Sequence, residues 1–277
     1  MSPPRSASTT DVVGLVPAAG WGRRLAPLPC SKEVYPVGWH APTPNAGLRP
    51  KVASHHLLEA MQHAGVTTAH IIIREGKWDI PAYWGDGHRL GMHLAYLMMR
   101  LPHGTPFTLD QAYPFVRDRR VVMGFPDVRF EPLHAFSELL ARQEATGADV
   151  VLGLFPAERP EKVDMVALDA DGRPQDIIIK PTTTTLTDTW VCAAWTPTFS
   201  AYLHDAVTTA ASTWDHDRQE MYVGHVLQAA IRDGLHVDAV RFPDGRCTDL
   251  GTPNDLLASS RRAHERVAPP EPTRSTH

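Results

Sequence analysis

Val12-Val13-Gly14-Leu15-Val16-Pro17-Ala18-Ala19-Gly20-Trp21-Gly22-Arg23-Arg24-Leu25 begins as an apolar run and gives way to small residues and glycines. Val12 to Val16 is short, continuous and rich in valine, which predicts a strand buried on both faces. From Ala18 to Gly22 few side chains stand in the way, so backbone N–H groups can approach a ligand closely. Arg23 and Arg24 follow at once, and Lys32 comes eight residues after Arg24. A strand, a glycine loop and three cations in that order make a cradle for a triphosphate. Lysine is scarce in this chain, with 5 lysines against 22 arginines. Lys32 and Lys180 both lie in stretches that suggest chemistry on other grounds, and an ammonium is a compact charge for phosphate that guanidinium replaces imperfectly.

The loop is not a Walker loop, because Gly-Lys-Ser/Thr is missing, and it lacks the third glycine and the ribose-binding acid of a dinucleotide fingerprint. It resembles the signature of the sugar-1-phosphate nucleotidyltransferases, where a strand leads into Leu-Ala-Gly/Ala-Gly-x-Gly-Thr-Arg-Leu and then x-x-Lys-x-x-x-Pro. Gly20, Gly22, Arg24, Leu25, Lys32 and Pro36 fall on that pattern; Arg23 replaces a small hydroxyl residue and Pro17 a leucine or alanine. Further stations follow in the family's order. The loop and helix from Gly104 to Val116 correspond to Gly-x-x-x-Ala, and Phe125-Pro126-Asp127 to Leu-Gly-Asp stretched by two residues. Ile178-Ile179-Lys180-Pro181 matches Glu-Lys-Pro with the glutamate lost, and Asp249-Leu250-Gly251-Thr252-Pro253 matches Asp-x-Gly-Thr-Pro.

The resemblance covers about residues 11–265 and implies a GT-A-like, Rossmann-related α/β fold: a three-layer sandwich around a central mixed, mostly parallel sheet. It is nearest to the glucose-1-phosphate thymidylyl/uridylyltransferase group. The implied reaction joins a nucleoside triphosphate to a sugar 1-phosphate, giving a nucleotide sugar and pyrophosphate, with Mg2+ as cofactor. Arg24 and Lys32 then take the catalytic places at the triphosphate. Ala18, Ala19, Gly20, Trp21, Gly22, Arg23, Met99 and Gly104 take the nucleotide-binding places, and Lys180, Trp190 and Ala193 the substrate-binding ones. Asp127 and Asp249 are the metal ligands. Asp127 also follows a predicted strand, and ligands collect outside the carboxyl ends of strands in open α/β sheets. The implied assembly is a homo-oligomer.

The departures fall on the readers of base and sugar. Met98-Met99-Arg100-Leu101 holds the place where the family carries a Gln-Pro with a base-reading glutamine, so that amide is absent at Met99; Ile179 stands for the glutamate, and Ala193 departs from a substrate-facing glycine. Cytidine or guanosine nucleotides, or a phosphate or phosphonate acceptor that is not a sugar, are therefore alternatives, as is a non-catalytic nucleotide-sugar-binding protein. Keeping Arg24, Lys32 and both aspartates argues against the last. Trp190 and Trp195 either stack on a ring or pack, and packing is the preferred reading.

A chain of 277 residues with a net charge of −4 has room for a large core and no basic surface for nucleic acid. Cys30, Cys192 and Cys247 are too scattered for a zinc site and odd in number for a disulfide framework. Without an apolar run of membrane-spanning length or a signal-peptide core, a cytoplasmic protein is expected. Residues 1–10 and 268–277 read as disordered tails around one domain over 11–267.

Along that domain, strands are predicted at 69–73, 92–98, 120–124, 149–155, 165–168, 176–179, 190–195 and 236–242. Helices are predicted from Pro50 to about Gly65, with His55, His56 and His63 as packing or surface residues, and at 131–144, 197–210 and 219–233. Thr108 is a candidate cap for the helix after Gly104, and Thr252, Pro253 and Asp255 open the last helix. Asp169-Ala170-Asp171, followed by Gly172 between two strands, reads as a hairpin turn and not as a metal motif.

Overall fold

The computed structural model describes residues 12–41, 47–100, 103–213 and 220–265. The expected tails and residues 42–46 lie outside them. In chain order the elements are β1 (Val12–Pro17), β2 (Pro36–His40), β3 (Arg49–Val52), α1 (Ala53–His63), β4 (Thr68–Arg74), α2 (Asp79–Trp84) and β5 (His93–Met99). Then come α3 (Thr105–Asp110), α4 (Tyr113–Val116), β6 (Arg120–Gly124), β7 (Val128–Glu131), α5 (Ala135–Thr146), β8 (Val150–Pro156), β9 (Met165–Leu168) and β10 (Pro174–Ile178). The chain continues through β11 (Asp188–Trp195), α6 (Pro197–Thr213), α7 (Val223–Arg232), β12 (Val237–Arg241), β13 (Arg246–Asp249) and α8 (Pro253–Glu265).

The central sheet runs β5-β4-β1-β6-β11-β8-β12, and the β9-β10 hairpin joins β11 where Thr189 pairs with Met165. Every pairing from β5 to β6 is parallel; β11 runs antiparallel to β6, β8 and β9. The sheet is thus mixed and mostly parallel. Its inner strands β1, β6, β8 and β11 are buried almost end to end because both faces are covered. In β1, Val12 and Val16 enter one core and Val13 and Leu15 the other. Helices α1 and α5 cover the first face with Leu57, Met61, Phe136 and Leu139. Helices α3, α4, α6 and α7 cover the second with Phe107, Val116, Phe199 and Val226. Three layers result, as the GT-A-like reading requires.

Three local readings are corrected. Pro50 does not open a helix: Arg49–Val52 pairs antiparallel with β2, and α1 starts at Ala53. The helix expected over 131–144 starts only at Ala135, because Val128–Glu131 is drawn into pairing with β13. Thr108 lies inside α3 and donates to the carbonyl of Gly104 at 3.3 Å, while Gly104 itself is the residue that precedes the helix. The Asp169 turn holds as a hairpin, its carboxylate accepting from the backbone N–H of Asp171 and Arg173 at 2.9 Å each. The last helix opens as read, with Thr252 and Asp255 hydrogen-bonded to each other across its first turn.

Candidate active site

β1 and β6 are parallel neighbours, so Pro17 and Gly124 end at the same edge of the sheet. The antiparallel β11 begins there, with Trp190 close to that edge. A cavity of about 950 Å³ opens along this edge, within the usual range for small-molecule sites. Its lining includes Ala19 to Leu25, Lys32, Gly104, Asp127, Lys180, Trp190 and Asp249. Gly22 turns the loop with φ +64°, a conformation natural to glycine.

The two aspartates are 122 positions apart in the sequence and are brought together by a two-stranded ribbon. β7 and β13 pair antiparallel, with Asp249 opposite Val128, and the amide of Leu250 donates to the carbonyl of Asp127 at 2.8 Å. Lys32, in a single 3-10 turn over Lys32–Val34, reaches Asp127 with its ammonium and forms an ion pair there. Arg24 faces Asp249 from the loop at 3.8 Å. Gly251 completes this corner: a Cβ there would stand 2.6 Å from Nη2 of Arg24 and 2.7 Å from Oδ1 of Asp249.

Burial alone would raise the pKa of Asp127, but the ammonium of Lys32 outweighs it and holds the carboxyl below its ordinary value. Lys32 is itself pulled down by burial and raised above its ordinary value overall by Asp127 and Glu33. Asp249 is pushed up by burial and by the neighbouring Asp127, which Arg24 and Lys32 only partly offset. Its Oδ1 is buried without a hydrogen-bond partner. An uncompensated carboxylate oxygen beside a second carboxylate suits a hard divalent cation. Among the described residues no group of three or more His, Cys, Asp or Glu forms a metal cage. Asp127 and Asp249 could hold such a cation between them, with phosphates and water completing its shell.

Lys180 also lines the cavity. Its backbone has φ +42°, uncommon outside glycine, and its ammonium sits 3.5 Å above the ring of Tyr222. Trp190 packs on Phe125 at 5.6 Å between ring centroids and also lines the cavity. Three expected site residues are placed elsewhere. Met99, at the end of β5, is buried in the second core and does not line the cavity; Ala193, in mid-β11, is buried in the same core. Ala18 is buried too, its amide donating to the carbonyl of Ile72 at 2.8 Å. Motif alignment set the chain position in these cases, but Met99 faces inward from β5, Ala193 lies in a strand buried on both faces, and the amide of Ala18 is taken by β4.

Sequence reading missed Glu33, Arg159, Lys162, Asp164, Tyr222 and Gly251, all of which line the cavity. Only Gly251 carried a signal, as the glycine of Asp-Leu-Gly-Thr-Pro. The others sit in segments without a pattern and are gathered by topology.

Residues 13–266 match the family model described as Nucleotidyl transferase. The glucose-1-phosphate thymidylyltransferase of Streptomyces antibioticus is 25% identical over 259 residues, covering 92% of this chain and 67% of that one. The enzyme of the same name from Streptomyces griseus is 24% identical over 257 residues, with the same coverage. The structure of a UDP-glucose pyrophosphorylase complexed with UDP-glucose matches with a TM-score of 0.75 at 14% identity, over 92% of this chain and 98% of that one. That likeness speaks for the fold. With a family match that runs from β1 to the last helix, the chain belongs to the sugar-1-phosphate nucleotidyltransferase family and is an enzyme of that kind.

Proposed function

We propose that this enzyme transfers a nucleotidyl group from a nucleoside triphosphate to a sugar 1-phosphate. An oxygen of the sugar phosphate attacks the α-phosphorus, the bond from the α-phosphorus to the bridging oxygen breaks, and pyrophosphate leaves. Both reactants are anions, so catalysis is mostly positioning and charge neutralisation. The observation that carries the reading is the convergence of Lys32, Asp127, Asp249 and Arg24 on the cavity that also holds Lys180.

The backbone of Ala19 to Gly22 approaches the triphosphate, and Arg24 and Lys32 hold its charge and that of the leaving pyrophosphate. Lys180 receives the phosphate of the acceptor. Asp127 and Asp249 would hold Mg2+, which when bound neutralises and polarises phosphoryl oxygens. Lys32 shares Asp127, so its ammonium stays charged and fixed close to the transferred group. No side chain has to remove a proton, since a phosphate monoester is already largely ionised near neutral pH. The reading includes a homo-oligomer working in the cytoplasm, in keeping with cysteines that are all free; among the described residues no helix is long and apolar enough to cross a membrane.

The test is pyrophosphate release with and without magnesium, pairing each of the five common nucleoside triphosphates with a panel of sugar 1-phosphates. One productive pair, lost in Asp127→Ala and Asp249→Ala, is the expected result. No release with any pair, in a protein that binds neither nucleotide nor sugar phosphate, would overturn the reading.

A further inference from the structure

Asp164 sits just before β9, lines the cavity, and takes no part in the phosphate chemistry described above. Its Oδ1 is buried without a hydrogen-bond partner, and so is the indole Nε1 of Trp190. Burial holds the Asp164 carboxyl up at about 6, and it prevails over the indole, which is close enough to draw the pKa down. The indole thus lies near enough to act on the carboxylate, yet neither Oδ1 nor Nε1 completes a hydrogen bond of normal geometry, and the two are left facing a position between them.

The surroundings keep this pair open. The hydroxyl of Thr189 donates to the backbone carbonyl of Asp164 at 2.8 Å and fixes the backbone there, not the carboxylate. Gly224, at the second position of α7, gives the carboxylate room: a Cβ there would collide with Oδ2 of Asp164 and stand 2.6 Å from Cδ1 of Ile179. Ile179 thus flanks the same spot and brings no polar atom to it. The charge of Lys180 reaches Asp164 as well, so the spot lies within range of the ammonium that receives the acceptor phosphate.

A hydroxyl donates one hydrogen bond while accepting another. An ammonium would serve only the carboxylate, and a carbonyl only the indole. We infer that Asp164 and Trp190 together read one hydroxyl of the acceptor, accepting from it at Oδ1 and donating to it from Nε1. Which acceptor is taken is then set partly by a carboxylate on the segment leading into β9, through that one hydroxyl. This inference rests on the transfer reaction proposed above and deepens it.

The experiment compares kcat/KM for the productive sugar 1-phosphate with that for its monodeoxy analogues, in the wild type, Asp164→Asn and Trp190→Phe. In the wild type, removing one particular hydroxyl is expected to lower kcat/KM by about 10-fold or more, as expected where a site built for a hydroxyl is left unpaired. In Asp164→Asn and Trp190→Phe that ratio shrinks, the ratios at other positions stay, and KM for the nucleotide is unchanged. Trp190→Phe keeps the packing ring and loses only the N–H, so the pattern is read on it if Asp164→Asn does not fold. Unchanged ratios at every position overturn the inference while leaving the transfer reaction intact. If no pair is productive, the transfer reading fails by itself. Calorimetry with the same sugar phosphates then decides: binding about 10-fold weaker in Asp164→Asn sustains the hydroxyl contact, and equal binding or none overturns it.

Discussion

Lys77 donates to Glu33 across 2.6 Å, with both side chains almost wholly withdrawn from solvent, and Glu33 is the residue next to Lys32. On the other side, Asp79 accepts from the amide and the hydroxyl of Ser31 at 2.5 and 2.7 Å. One short segment, residues 77 to 79, therefore grips both neighbours of Lys32 and leaves its ammonium aimed at Asp127. Burial pushes Glu33 up and Lys77 down, and each charge is kept mainly by the other.

Removing one member of such a pair leaves an uncompensated buried charge, so Lys77→Met is expected to lose ~3–5 kcal/mol in urea unfolding. Lys77→Met combined with Glu33→Leu removes both charges and recovers most of that loss. If the pair positions Lys32, kcat/KM for the nucleotide stays depressed about 10-fold in the stable double variant. A double variant that regains full activity together with stability would reduce the pair to scaffolding.

Gly251→Ala tests the corner between Arg24 and Asp249. The added methyl has nowhere to go but into the guanidinium and the carboxylate. Arg24 is largely exposed and swings away at little cost, so Tm moves little. Activity falls about 100-fold or more, because an ångström of displacement at positioned groups is costly in rate. Steady-state kinetics beside a melting curve checks both halves; a large drop in Tm with intact kcat would place the role of Gly251 in folding alone.

These residues show where sequence reading succeeds and where it stops. β1, β4, β6, β8 and β11 were legible because a strand covered on both faces must be continuously apolar, and short runs of that kind rarely arise elsewhere in a chain. The glycine loop and the segment from Asp249 to Asp255 were legible because glycine, cap and charge requirements are local. The ribbon of β7 and β13 was not, since four-residue strands carry no period and their pairing is a long-range contact. The Glu33–Lys77 pair was invisible for another reason: charged residues read as surface until a partner buries them. Met99 failed at register, where a shift of one residue along a strand reverses the face, as the exposed Met98 beside it shows; Ala193 failed because β11 is buried on both faces along its length.

Tyr222→Leu takes away the aromatic face beneath the Lys180 ammonium, a contact of ~0.5–2 kcal/mol. KM for the acceptor phosphate is expected to rise about 3- to 10-fold, while KM for the nucleotide stays put. Tyr222→Phe keeps the ring and should behave as the wild type. Equal defects in both variants would show that the hydroxyl of Tyr222, and not its face, is what matters.

Asp164 makes the sharpest pH prediction. Burial holds its carboxyl up at about 6 in the folded protein, against an ordinary value of 3.8. Between those values the folded state binds more protons than the unfolded one, so stability falls as pH rises through the interval. The penalty is absent below the unfolded value and complete above the folded one. Asp164→Asn has no charge to bury and should be more stable than the wild type at pH 7.5, by ~1–3 kcal/mol allowing for partial solvent access. The advantage should shrink through pH 6 to 5 and vanish below about 4. Urea unfolding of both proteins across that range measures it directly. A wild type that binds its acceptor well and an asparagine variant that is stabler yet binds poorly together describe a charge kept for recognition at the expense of folding. If Asp164→Asn is instead destabilised at pH 7.5, the carboxylate has a partner in the folded state and is not waiting for a hydroxyl.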